Sequence, residues 1–386
     1  MSVGDGNYIE TFDPDGDVLW FWYQTWHRNA TTKSNESTED TKETVRQCLN
    51  RFERFLAAQN GNQSYDCHWS DIDIDAVSYD DIIPPREVTP PLAEQFLVGL
   101  QHTYEARTQQ NTYANVKQAY EWCEESVESV EVDPFAVVEK KHKEKNNDWI
   151  LDTPEGRDAY IIPVTDAREV VRSWKHPMWL AIQVIFGKYG RRAGGVSNLD
   201  FENVHLDHPG CDWTVHSDLR QWPDHISFRA DKRASDETRN TGNKTKTNAV
   251  YPIDSELKDA LLWYLTIRPQ PNSPTDPLFI SQRKGERLSG AMIGNKFRER
   301  AKELGYWYGA NDDDNLNAHY WRHWTTSWYQ SQFGGGSEDT ALTKYLRGDS
   351  KNDIMAIYDS YTEDKRDTIL DAMPTFLSPY VEEDDQ

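Results

Sequence analysis

The sequence predicts a mainly α chain of α+β class in two parts: a helical bundle, then a larger, mostly helical domain with a small antiparallel β-sheet. Three observations predict it. Apolar residues recur at helical spacing through most of the chain. Short alternating segments, the mark of half-buried strands, cluster around residues 213–216, 226–229 and 249–253. A polar stretch with a basic core, residues 132–165, interrupts the apolar pattern between the two halves. With 386 residues and 15 tryptophans the chain can bury two cores.

The elements follow in order. Residues 1–14 are polar and acidic and read as a flexible tail. An aromatic-rich segment at 17–26 opens the helical bundle, which spans 15–131. Residues 38–59 form an amphipathic helix, because Val45, Cys48, Leu49, Phe52, Phe55 and Leu56 fall on one face. Residues 60–90 read as a long loop with acidic alternation. Helices follow at 91–106, with proline in the first turn, and at 112–127. The 132–165 stretch carries EKKHKEKNN, and two readings stay open for it: a solvated hinge, or a basic strap along phosphates through Lys140, Lys141 and Lys143. The second domain spans 166–375. It opens with helical periodicity over 166–189, passes through the three strands, and resumes as helices at 255–266, 290–304, 319–332, 338–346 and 351–361. Residues 376–386 read as an acidic tail.

Composition bounds the function. The formal net charge is −23, whereas nucleic-acid binders are usually basic, because phosphate contacts dominate their affinity. The acid excess is spread over the whole chain, as in a solvated coat suited to concentrated salt. There the Debye length is only about 3 Å and like-charge repulsion costs little. We read the chain as halophilic, so that only local patches report on partners. Four isolated cysteines (Cys48, Cys67, Cys123, Cys211) form no CxxC pair and predict reduced, cytoplasmic thiols rather than zinc or disulfides. The N-terminus lacks the apolar core of a signal peptide, and no apolar run reaches membrane-spanning length.

Five scattered residues carry the chemistry. His319 and Arg322 lie three apart on a predicted helix and share a face. Trp321, Trp324 and Trp328 occupy another stripe and read as core. Tyr358 lies two turns into a helix opened by a capping box at Ser350 to Asp353. Lys244 sits at or near the tip of a predicted hairpin. Between Phe228 and Asn248 six basic residues (Arg229, Lys232, Arg233, Arg239, Lys244, Lys246) face three acidic ones (Asp231, Asp236, Glu237), a local excess of cations that favours phosphate. Arg192 follows a glycine at a helix end. Alone, each pattern is weak: HxxR arises often by chance, and a tyrosine on a helix is usually packing.

In this order and spacing the five resemble the tyrosine recombinase (phage integrase) family over residues 166–370. That family's first box reads Gly-Leu-Arg, then a leucine-rich stretch ending in Asp-Ile. Gly190-Arg191-Arg192 through Leu199 to Asn203-Val204 follows this frame and selects Arg192 over Arg191. The family's lysine precedes a strand proline by eight residues, as Lys244 precedes Pro252. His319, Arg322 and the trailing His323 fit its HxxR box. Its tyrosine follows a Leu-Gly-His segment by nine residues, as Tyr358 follows Asp349 in Arg347-Gly348-Asp349, which makes Tyr361 the poorer candidate. Two positions depart from the pattern. Gly195 stands where the family has an acid. Asp349 stands where it has His or Trp, and an ionised Asp accepts hydrogen bonds rather than donating them. Asp349 reads either as a helix cap beside Ser350 or as an orienter of Arg347 or a catalytic neighbour.

The resemblance implies a core-binding (SAM-like) domain over 15–131, a catalytic domain over 166–375, and double-stranded DNA as partner. It also implies a homotetramer on paired sites, with the two domains clamped around the duplex. Arg192 and Arg322 would clamp the scissile phosphate, Tyr358 attack it, His319 take the tyrosine proton and Lys244 protonate the leaving oxygen. Basic residues Arg229, Lys232, Arg233 and Lys246, with Lys140, Lys141 and Lys143, would contact DNA. No cofactor, metal or ATP is implied. The competing readings are a DNA-binding relative with weakened catalysis and a type IB topoisomerase-like strand transferase. Residues 364–377 carry apolar residues at helical spacing and would pack either on their own domain or on a neighbour.

Overall fold

The computed structural model describes residues 19, 22–23, 39–61, 65, 67–126, 130–144, 149–152, 160–229, 248–273, 275–309, 314–333, 337–348 and 362–378. The chain divides into two compact units, Met1–Gly156 and Arg157–Gln386.

The first unit is helical. Helices α1 (Glu39–Gln59), α2 (Pro90–Thr103), α3 (Ala106–Ser126) and α4 (Pro134–Glu144) enclose one core. Its centre is a cluster of rings: Phe52 meets Phe96 at 4.7 Å and Phe135 at 5.6 Å, edge to face. The described residues of the acidic 60–90 stretch include four 3₁₀ turns. In its Asp-Ile-Asp-Ile-Asp run the isoleucines, Ile72 and Ile74, are buried while Asp71, Asp73 and Asp75 face solvent. Asp73 caps its turn by accepting from the Asp75 N–H. Helix α3 begins at Ala106 rather than 112.

The basic stretch is folded over part of its length. It contains helix α4, capped by Asp133, whose carboxylate accepts from the Phe135 N–H at 2.8 Å. Phe135 and Val138 sit in the bundle core, and Leu151 joins them. Amphipathic burial outweighs the charge of the exposed face. Part of that charge is paired: Lys141 and His142 bond the Glu94 carboxylate at 2.6 and 2.9 Å, and these two bonds hold Glu94 below the usual carboxylate range.

The second unit starts with α5 (Val164–Arg172) and α6 (Pro177–Tyr189). The single helix expected over 166–189 is broken because Pro177 cannot continue a preceding turn. His176 caps the new helix through Nδ1, accepting from the Met178 N–H. Helix α6 is buried at every residue but Trp179 and lies between α8 (Ser255–Ile267) and α10 (Tyr320–Phe333). Short helix α7 (Ala193–Ser197) precedes a three-stranded antiparallel sheet of β1 (Val204–His205), β2 (His225–Phe228) and β3 (Ala249–Pro252), in the order β1-β2-β3. Ile226 lies opposite both Val204 and Tyr251. The strand expected at 213–216 is absent: there Trp213 turns back to donate to the Val204 carbonyl at 2.9 Å, and His216 caps a 3₁₀ turn. Helices α9 (Gly290–Glu303), α11 (Ser337–Arg347) and α12 (Glu363–Asp371) complete the described unit. The helix expected at 351–361 lies outside the described residues.

Residues 372–378, which follow α12, pack on their own unit. Ile369, Met373 and Phe376 are buried. The Glu256 carboxylate accepts three backbone N–H groups, from Phe376, Leu377 and Ser378, at 2.6–2.8 Å. Lys188, with no exposed surface, bonds Asp254 at 2.6 Å, Glu256 at 3.2 Å and the Pro374 carbonyl at 2.7 Å. Residues 376–378 therefore belong to the folded unit and not to an acidic tail: a buried aromatic and three satisfied amides hold them.

Candidate active site

Helix α6 ends at Gly190, whose φ of +57° closes the helix in the left-handed conformation. A Cβ there would stand 3.2 Å from the Thr325 Cβ and 3.5 Å from the Arg322 Cα, so glycine also permits close approach of α10. Two arginines follow with opposite fates. Arg191 is 2% exposed. Arg192 is exposed and stands at the N-cap of α7, its carbonyl accepting from the Gly195 and Val196 N–H groups. Helix α7 is fixed from behind. Arg287 pairs with Asp200 at 2.5 Å and donates to the Ser197 and Leu199 carbonyls. Gly290, at the start of α9, leaves room for no more than the backbone of Ala193 and Gly194.

Arg322 lies on α10 and is 4% exposed. Its NH1 donates to the Gly190 carbonyl at 3.1 Å and to the Arg347 carbonyl at 2.6 Å. One guanidinium thus joins the end of α6, helix α10 and the end of α11. His319 is exposed, one turn earlier. Asn317 caps that turn, its side-chain oxygen accepting from the His319 and Tyr320 N–H groups at 2.8 and 2.9 Å. The His319 and His323 rings meet edge to face at 4.8 Å. Trp321 and Trp324 are core, as expected. Trp324 stacks on Trp328 and donates to the Ile162 carbonyl.

The structure thus bonds Arg322 to the carbonyl of Gly190, two residues before Arg192, with His319 a turn earlier on the chain than Arg322. Lys244, Asp349 and Tyr358 lie outside the described residues, as do Lys232, Arg233 and Lys246. The described ends of the segments that carry the first three do converge. Phe228 and Ala249, which flank the Lys244 segment, pair with each other across β2 and β3. Tyr345 on α11 holds β3 through both the N–H and the carbonyl of Val250, and Tyr251 donates to the Tyr345 carbonyl at 2.8 Å. Arg347 and Gly348 directly precede Asp349. Of the other basic candidates, Arg229 pairs with Glu202 at 2.9 Å. Lys140 and Lys141 are exposed on α4, and Lys143 lies in the same helix, its side chain outside the described residues. At Gly195 an added Cβ would meet only Phe228 and Arg191, at 3.9 and 4.0 Å.

The sequence reading set Arg191 aside and did not foresee the contacts of Arg191 with Gly348 or of Arg322 with the Arg347 carbonyl. The available signal was an arginine in a frame position that the resembling family fills with leucine. Among the described residues no group of His, Cys, Asp and Glu is placed to hold a metal ion. No described helix is long and apolar enough to cross a membrane.

No family model matches the sequence, and no curated protein matches it significantly. Solved structures do share its fold. A Tn1549 transposon integrase in complex with a circular intermediate DNA superposes with a TM-score of 0.58 at 13% identity, over 92% of this chain and 99% of that one. A lambda integrase dimer bound to a COC′ core site gives 0.54 at 11% identity, over 89% and 99%. Lambda integrase bound to DNA gives 0.53 at 12% identity, over the same shares. The chain has the fold of these integrases.

Proposed function

We propose that this chain is a site-specific DNA recombinase that cuts and rejoins DNA through a 3′-phosphotyrosyl intermediate. The observation that carries the reading is the Arg322 guanidinium, buried and bonded to Gly190 and Arg347, with exposed Arg192 two residues beyond that glycine. Two arginines on rigid elements suit a phosphate whose charge grows in the transition state. The five-residue frame and the fold shared with DNA-bound integrases support it.

In this mechanism Arg192 and Arg322 bind the nonbridging oxygens. The Tyr358 oxygen attacks phosphorus in line, and the bond from phosphorus to the 5′ oxygen breaks. A tyrosine hydroxyl titrates near pH 10, so it needs a base. His319 takes its proton, and Lys244 donates one to the departing 5′ oxygen. Attack on the phosphotyrosine by another strand's 5′ hydroxyl reverses each step and reseals DNA. The ester is conserved throughout, so ATP is not required. Basic residues of the 229–246 segment and of α4 would contact phosphates, four protomers would act on paired sites, and the acidic coat suits work in concentrated salt.

The test is covalent trapping. The protein is incubated at high salt with a nicked duplex it has been shown to bind, then denatured. A denaturation-resistant complex is expected. A bound duplex that yields none would leave a DNA-binding relative with weakened catalysis, consistent with Gly195 and Asp349.

A further inference from the structure

We infer that Arg191 is a positioning residue of the active site, wedged between the end of β2, where the Lys244 segment begins, and Gly348, which precedes the segment that carries Tyr358. The inference rests on the recombinase reading above. It concerns a residue that the frame sets aside in favour of its neighbour Arg192.

A cation 2% exposed is costly unless the fold uses it. Arg191 is used on three sides. Its guanidinium lies 4.5 Å over the Phe228 ring and 5.7 Å from the Tyr251 ring. Its NH1 donates to the Tyr251 hydroxyl at 2.9 Å, which in turn donates to the Tyr345 carbonyl at 2.8 Å. On the third side stands Gly348, with φ of +67°. A Cβ there would lie 2.8 Å from the Arg191 Cζ and 2.9 Å from NH2, and closer still to NH1. Gly348 is thus held to glycine twice, by its left-handed backbone and by the guanidinium against it.

These contacts lie where the catalytic segments begin. Phe228 is the last residue of β2, before the stretch that carries Lys244. Gly348 is the last residue before Asp349 and the stretch that carries Tyr358. Arg192 follows Arg191 in sequence. One planar side chain therefore spaces the departure points of the clamp, the general acid and the nucleophile. Leucine in its place fills part of the volume but bonds no hydroxyl and stacks as no cation. Misplacing reacting groups by about 1 Å costs on the order of 100-fold in rate.

The experiment compares wild type with Arg191→Leu, Arg191→Lys and Tyr251→Phe. The probe is a duplex selected for binding by the wild-type protein from a random-sequence pool and nicked to trap the adduct. Single-turnover adduct formation is measured at saturating DNA, beside the half-saturating concentration and the melting temperature. The expected result for Arg191→Leu is a loss of about 100-fold in the saturated rate, with half-saturation unchanged. Arg191→Lys recovers part of the rate. Tyr251→Phe, which keeps the ring stack and loses only the hydroxyl, lowers the rate less than Arg191→Leu. A saturated rate equal to wild type in Arg191→Leu overturns the inference. If Arg191→Leu melts too early to assay, a wild-type rate in Tyr251→Phe overturns it. Absence of adduct with wild type itself sinks the recombinase reading and the inference with it.

Discussion

Arg322 donates to the main-chain carbonyl of Gly190 at 3.1 Å, across the contact between α10 and the end of α6. The bond matters because Gly190 stands two residues before Arg192, so one candidate clamp arginine sets the place of the other. The same NH1 reaches the Arg347 carbonyl at 2.6 Å, which ties the end of α11 to the same guanidinium. Lysine has no planar fork and would reproduce neither this geometry at the two carbonyls nor bidentate contact with a phosphate. Arg322→Lys is expected to lower single-turnover adduct formation by about 100- to 1,000-fold while DNA binding persists. Retention of a tenth or more of the rate would show that the fork is dispensable.

The C-terminal segment supports the same helix from behind. The Phe376 ring packs on Trp321 and Trp324 at 6.4 and 5.6 Å, and a Cβ at Gly187 would stand 2.6 Å from it. Phe376→Ala is expected to destabilise the second unit by about 3–5 kcal/mol. It should also open residues 372–378 to limited proteolysis. Unaltered melting and protease resistance would place the segment's anchor elsewhere, in the Glu256 bonds alone.

Acid should weaken this unit in two steps. Burial of the His225 ring, aided by the Arg366 charge, outweighs the bond to the Pro223 carbonyl and the Asp224 charge and lowers its pKa to about 4. At Glu256 burial works to raise the pKa. The Lys188 charge and the three backbone N–H bonds together overcome it and leave the carboxyl below its usual range. Both folded values are depressed, so both groups contribute stability above their unfolded values, about 6.5 for His and 4.3 for Glu. That stability is lost as pH falls through the folded values. Melting temperature is expected to drop between about pH 6.5 and 4 as His225 charges, then further below about pH 4.3 as Glu256 protonates. Glu256→Gln should lower stability at neutral pH and flatten the more acidic limb. An unchanged slope there would remove Glu256 from the account.

Gly195, at the frame position of an absent acid, has room for a side chain. Its Cβ would make only ordinary contacts with Phe228 and Arg191. Gly195→Ala within α7 is therefore expected to be neutral or to stabilise by up to about 1 kcal/mol, chiefly by restricting the unfolded chain. Destabilisation beyond about 1 kcal/mol in chemical denaturation would mean that glycine is needed there for its backbone.

Much of this fold was legible in the sequence because its signals are local. The stripe of Val45, Leu49, Phe52 and Leu56 marks α1, and the Trp321–Trp324 stripe marks the buried face of α10. Arg192 was separable from Arg191 by frame alone, and the structure leaves Arg192 exposed and Arg191 buried. Long-range partners were not legible. The charge of EKKHKEKNN concealed that Phe135 and Val138 anchor a bundle helix. Pro177 breaks a continuous apolar period that hid the cap at His176. Cis packing of residues 372–378 depends on Glu256, over a hundred positions earlier. The use made of Arg191 depends on Gly348, whose left-handed backbone has no signature beyond the glycine itself.

The central claim is that Tyr358 becomes covalently joined to DNA. Digesting the trapped adduct and mapping the nucleotide-bearing peptide by mass spectrometry tests it most directly. The account predicts a 3′-phosphonucleotide on Tyr358 and no adduct from Tyr358→Phe. A nucleotide on Tyr361 or any other residue, or an adduct that survives in Tyr358→Phe, would contradict it.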